Sequence, residues 1–96
     1  MHRSKETDRL FAAILSLKSP EECYALFTDM CTVKEVQAMS QCLEVASQLA
    51  SGKNYNTVSV DTGASSATIS RVNRCLQYGE GGYRLVISRL EEEECC

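Results

Sequence analysis

The sequence predicts an all-α fold of about six helices, and three observations carry that prediction. Apolar residues recur at steps of three and four, the spacing that lines one face of a helix. Helix-start signatures punctuate the chain, and its one proline, Pro20, falls where a helix tolerates it. Hydrophobic residues make up 44% of the chain but include no Trp, four Tyr and two Phe, so the core is mostly aliphatic and suited to packed helices.

The elements follow in order. From Arg9 to Leu17, the residues Leu10, Phe11, Ile14, Leu15 and Leu17 mark a first helix. Ser19-Pro20-Glu21-Glu22 reads as the start of a second: Ser19 caps, Pro20 takes the first helical position and Glu22 stands three beyond the cap. Cys23, Leu26, Phe27 and Met30 give it an apolar face, and it ends near Cys31. Thr32-Val33-Lys34-Glu35 is a second capping box, opening the longest helix, whose stripe is Val36, Met39, Leu43, Ala46 and Leu49. Gly52 supplies the left-handed residue that stops it near Ser51. Two short helices then flank Gly63, from about Asn56 to Thr62 and from about Ser65 to Leu76. Past Gly79-Glu80-Gly81-Gly82, a last helix runs from Tyr83 to about Glu94. Its Leu85, Val86, Ile87 and Leu90 form a broad apolar surface that a lone chain of this size struggles to cover.

Composition excludes several functions. No stretch approaches the roughly 18 apolar residues of a membrane span. The charged segment Met1 to Asp8 has no apolar h-region with a small-residue cleavage site behind it, so no secretory signal is expected and a cytoplasmic location is. Of six cysteines, Cys23, Cys31, Cys42 and Cys75 form no C-x-x-C pair and have no nearby histidine. No metal site is expected, and these four are read as reduced, buried small hydrophobes. Cys95 and Cys96 end the chain beside four glutamates and are expected to be exposed. The single histidine, His2, lies at the terminus, which leaves any nucleophile without a placed base, so no catalytic residue is assigned. Gly79-x-Gly81-Gly82 lacks the Lys-Ser/Thr and preceding strand of a phosphate loop and reads as a turn.

The net charge of −3 speaks against a strongly basic nucleic-acid binder, but the distribution matters more. From residue 53 to 84, Lys53, Arg71, Arg74 and Arg84 face only Asp61 and Glu80. Glu91 to Glu94 hold much of the acidity at the far end, where a like-charged run is usually solvated. Within the basic stretch, 57–76 has the spacing of a helix-turn-helix: a short residue, Ser59, where the helices face each other, and Gly63 in the tight turn. Val58, Ala64, Ile69 and Val72 are expected to point into the angle. Ser65, Ser66 and Thr68 then sit at the start of the second helix, and Ser70, Arg71, Asn73 and Arg74 complete a face almost free of carboxylates. Lys53, Asn54, Asn56 and Thr57, around the start of the first helix of the pair, are further expected DNA contacts.

Residues 31–77, through Thr32-x-x-Glu35, Ala38, Gly52 and especially Gly63-Ala64-x-x-Ala67-Thr68-Ile69-Ser70-Arg71, resemble the tryptophan repressor superfamily. With Gly82-Tyr83-Arg84-Leu85, the chain is similar to the YerC/YecD group of repressor-related proteins in particular. The resemblance implies a single helical domain over 1–96 that pairs as an intertwined homodimer. Residues 1–52 would be dimerisation helices, 53–78 the helix-turn-helix and 79–94 a C-terminal dimerisation helix. It further implies a transcriptional regulator, a repressor, binding palindromic double-stranded DNA. In that superfamily two arginines hold the corepressor. Arg71 matches the second, but Cys42 stands where the first belongs, so a carboxylate ligand loses a charge-assisted contact of about 1.5–3 kcal/mol. Cys42 and Arg71 remain the expected ligand pocket, open to an effector of another kind; tryptophan is not expected, nor any cofactor. The rival reading, favoured by the acidic balance, is a helical dimerisation or protein-interaction module whose helix-turn-helix no longer binds DNA.

Overall fold

A computed structural model describes residues 1–94, as six helices joined by short connections. They are α1 (Lys5–Leu15), α2 (Pro20–Met30), α3 (Val33–Ala50), α4 (Tyr55–Thr62), α5 (Ser66–Tyr78) and α6 (Gly82–Glu94). No strand occurs among the described residues, and none of these helices is long and apolar enough to cross a membrane. The chain forms two compact units, Met1–Val36 and one beginning at Gln37.

The first unit is punctuated by side-chain caps. Ser4 caps α1 by accepting from the Thr7 N–H at 3.0 Å, and Glu6 and Asp8 in the first turn suit the positive end of the helix. The helix therefore starts four residues before the apolar run that predicted it at Arg9. It also stops at Leu15, where Ser16 donates to the Ala13 carbonyl at 2.6 Å, leaving Leu17 outside. Ser19 and Pro20 open α2 as expected, but the Glu22 carboxylate accepts from the Lys18 N–H at 2.9 Å, one residue ahead of the cap. The box at α3 closes in both directions. Glu35 accepts from the Thr32 N–H at 2.8 Å, and Thr32 Oγ1 accepts from the Glu35 N–H at 3.1 Å. These bonds favour the carboxylate and hold Glu35 below the usual glutamate range. Neither α1 nor α2 contains a buried residue: Phe11 is 46% exposed, Leu15 84% and Tyr24 76%.

The second unit has the core. Val45 and Ala46 of α3, Val58, Ala64, Ile69, Val72, Leu76 and Ile87 are all buried, with Cys42, Leu43, Leu49 and Tyr83 packed against them. The predicted stripe of α3 holds at Ala46, which is buried, and at Leu43 and Leu49, which pack against the core, but Met39 is half exposed and Val45, outside the stripe, is fully enclosed. Gly52, at φ +96°, ends α3. Its N–H donates to the Leu49 carbonyl and that of Lys53 to the Gln48 carbonyl, the paired bonds of a Schellman cap. The cysteines correct the sequence reading, because none of the four is buried: Cys23 and Cys75 are exposed, Cys31 and Cys42 intermediate. Their surroundings, not their size, decide this. Among the described side chains of α6, Ile87 is the buried one; Leu85, Val86 and Leu90 are 50%, 43% and 36% exposed. Cys95 and Cys96 lie outside the described residues.

Candidate nucleic-acid interface

The corner between α4 and α5 is built from short side chains. Gly63 sits at φ +73°, a left-handed conformation that costs an ordinary residue about 1–2 kcal/mol, and its N–H closes α4 on the Ser59 carbonyl. Ser59 is more than a small residue that lets the helices meet. Its hydroxyl donates across the turn to the Ala64 carbonyl at 3.1 Å. Thr62 Oγ1 donates to the Val58 carbonyl at 2.7 Å and accepts the Ala64 N–H at 3.2 Å. From α3, the Gln41 amide donates to the Thr62 carbonyl at 3.2 Å. Val58, Ala64, Ile69 and Val72 fill the angle from inside, as their positions required. At the other end of α5, Arg84 Nε donates to the Leu76 carbonyl at 3.2 Å. Sequence reasoning missed Gln41, Thr62 and Arg84 in these roles, since their partners are set by the fold.

The expected contact residues divide into groups. Ser65 is the N-cap of α5: its oxygen accepts from the Thr68 N–H at 3.2 Å and its hydroxyl donates to Thr68 Oγ1 at 3.1 Å. Thr68 is half-buried, so these two are engaged with each other. Ser66, Ala67, Ser70, Arg71 and Arg74 are exposed and Asn73 is half-buried, leaving a polar face without a carboxylate between Ser66 and Arg74. Asn54 is the N-cap of α4 and is exposed, accepting from the Thr57 N–H at 2.9 Å through Oδ1, so the cap itself does not use its amide N–H groups. Asn56 lies inside α4, because the helix begins at Tyr55, one residue earlier than predicted. Lys53 meets Asp61 at 3.4 Å, with side chains 45% and 41% exposed. A pair this exposed contributes about 0–1 kcal/mol, so a phosphate competes for the ammonium readily.

The proposed ligand pair also meets. Arg71 Nη2 donates to Cys42 Sγ at 3.5 Å. Tyr83, from the start of α6, joins them. Burial raises its phenol above the ordinary tyrosine value, and the Cys42 and Cys75 sulfurs, one of them hydrogen-bonded to it, add to the rise against the opposing charge of Arg71. Beside this group lies an open pocket of ≈ 500 Å³ lined by Leu43, Cys75, Glu80, Gly82, Tyr83 and Val86. Among the described residues no cluster of His, Cys, Asp or Glu has the arrangement to hold a metal ion.

The chain is similar to known proteins in sequence and fold. The family model described as Trp repressor protein matches residues 5–91. The uncharacterized protein YerC of Bacillus subtilis (strain 168) is 52% identical over 92 residues, spanning 96% of this chain and 88% of its own length. The crystal structure of a candidate Trp repressor from Staphylococcus aureus superposes with a TM-score of 0.90 at 47% identity, covering 93% of this chain and 89% of its own. A TrpR-like protein from Eubacterium eligens ATCC 27750 gives 0.90 and 47% as well, covering 93% and 92%.

Proposed function

This chain belongs to the Trp repressor family, and on that premise we propose that it is a sequence-specific DNA-binding transcriptional regulator, a repressor, and not an enzyme. Its working form is a cytoplasmic homodimer that binds palindromic duplex DNA. The observation that carries this reading is the recognition face of α5, where exposed Arg71 and Arg74 stand among serines and an amide on a helix braced at both ends. A helix of this composition suits a major groove: arginines reach guanine or phosphate, and no carboxylate repels the backbone. Lys53 and the capped start of α4, with Asn54, Asn56 and Thr57, are assigned to phosphate.

Dimerisation is supported by uncovered apolar surface. Leu10, Phe11, Leu15, Met30 and Val33 in the first unit, and Leu85, Val86 and Leu90 on α6, are large side chains left at least a third exposed. Fully burying one such side chain contributes about 1.5–3 kcal/mol, and a second copy of the chain offers the matching surface. No cofactor is assigned. With Cys42 in place of one of the two corepressor arginines, tryptophan is set aside as ligand, and any small-molecule effector is of different chemistry.

Selection of bound genomic fragments, followed by titration of the recovered duplex at several salt concentrations, tests this reading. Three cations per subunit on phosphates, Lys53, Arg71 and Arg74, give a dimer a log Kd against log salt slope of magnitude roughly 5. Replacing Arg71 and Arg74 by Ala should remove most of that slope and leave the dimer intact by sedimentation. Retention of DNA by that double variant, or no DNA recovered at all, points instead to a protein-interaction module, the reading that the acidic net charge of −3 favours.

A further inference from the structure

We propose that Cys42 is a positioning residue for Arg71 and a reversible thiol switch on DNA binding: capping its sulfur with a small disulfide displaces the arginine from the recognition face. The inference rests on the DNA-binding reading above, but its geometry stands apart from it. Arg71 and Cys42 come from different helices and meet at 3.5 Å, guanidinium to sulfur. The ion pairs Arg3–Asp8 and Lys53–Asp61 lie elsewhere, and the contact that holds Arg71 is the Cys42 sulfur. Its restraint is a sulfur, a weak acceptor that leaves the charge of the arginine for phosphate. A carboxylate at position 42 would hold the side chain more firmly and cancel that charge.

Access is also present. Cys42 is only part-buried and its contact with Arg71 is exposed, so a small reagent reaches the sulfur. The adduct lies where the guanidinium now lies. The chemistry needs no further reactant. The Cys42 thiolate attacks one sulfur of the disulfide, the new S–S bond forms as the old one breaks, and the departing thiolate takes up the proton that Cys42 released. A free thiol reverses it by the same route.

The test uses the full-length chain with Cys23, Cys31, Cys75, Cys95 and Cys96 changed to Ser, titrated with its selected duplex before and after treatment with 2-hydroxyethyl disulfide. Capping should raise Kd by about tenfold, the scale of one charge-assisted contact, and dithiothreitol should restore it. In an Arg71→Ala background, capping should change Kd by less than about twofold. Cys42→Ser should keep the affinity, because the hydroxyl still accepts from the guanidinium, while Cys42→Val should lose it. Unchanged Kd on capping, an equal loss in the Arg71→Ala background, or failure of Cys42 to react each overturns the proposal. If the serine substitutions unfold the chain, the unsubstituted protein is compared with Cys42→Ser alone, and equal sensitivity of the two overturns it. Failure of the DNA-binding reading is told apart without DNA: the Arg71 Nε–H resonance, assigned by its loss in Arg71→Lys, should shift on capping, and an unmoved resonance rejects the thiol–arginine coupling itself.

Discussion

The two units of this chain solve the problem of stability differently. From Gln37 onward, four helices enclose Val45, Val58, Ile69 and Val72 almost completely, and a tight corner is stitched by Ser59 and Thr62. Before that point, α1 and α2 are well capped yet enclose nothing. Capping decides where a helix begins; it does not give that helix a core. The first unit is secondary structure without a core of its own, and the second is a folded body that presents α5. If the proposed function holds, recognition and assembly fail separately in such a chain, and mutations tell them apart.

The largest expected effect breaks the second unit from within. Ile69→Ala should cost about 2–5 kcal/mol in chemical denaturation, independently of protein concentration, because the cavity forms inside one chain. Phe11→Ala should cost about 1–2 kcal/mol, and here the unfolding midpoint should fall on dilution, since the lost burial is against a second copy. A midpoint independent of concentration would remove the contrast between the units. Gly63→Ala should cost about 1 kcal/mol and weaken DNA binding more than stability, because the strain falls on the turn that aims α5. The smallest effect is one of pH. Glu35 has a lowered folded pKa, so its cap contributes fully above the ordinary glutamate value near 4.5 and is lost as pH falls through the lower folded value. Glu35→Gln should flatten that acid limb in thermal melts and change little at neutral pH.

What the sequence revealed depends on how far apart the determining residues lie. The Thr32–Glu35 box, the Ser19-Pro20 start and the Gly63 corner are each settled within four residues, and the structure has all three. The inward set Val58, Ala64, Ile69 and Val72 was equally legible, because a tight turn dictates which sides of two short helices meet. The start of α1 was hidden, since Lys5, Glu6, Asp8 and Arg9 carry no apolar rhythm and Ser4 alone sets it. Periodicity places Leu43, Ala46 and Leu49 of α3 on the core side, but how far the buried stripe extends depends on what packs over it, and so Val45 is enclosed where Met39 is not. Cysteine burial failed for the same reason. The meeting of Cys42 with Arg71 was suggested by family resemblance, whereas the arrival of Tyr83 beside them is a product of chain topology that no local pattern encodes.

The tie from Arg84 to the Leu76 carbonyl and the hydroxyl stitching at Gly63 clamp α5 near both ends. A rod fastened so resists swivelling, and in the proposed DNA-binding dimer the gap between the two rods becomes a fixed gauge. One inserted base pair at an operator's centre widens the spacing by about 3.4 Å and turns one half-site about the duplex axis. The protein should therefore measure operators as a caliper does, rejecting a near-perfect sequence of the wrong length more severely than a right-length site with one changed base.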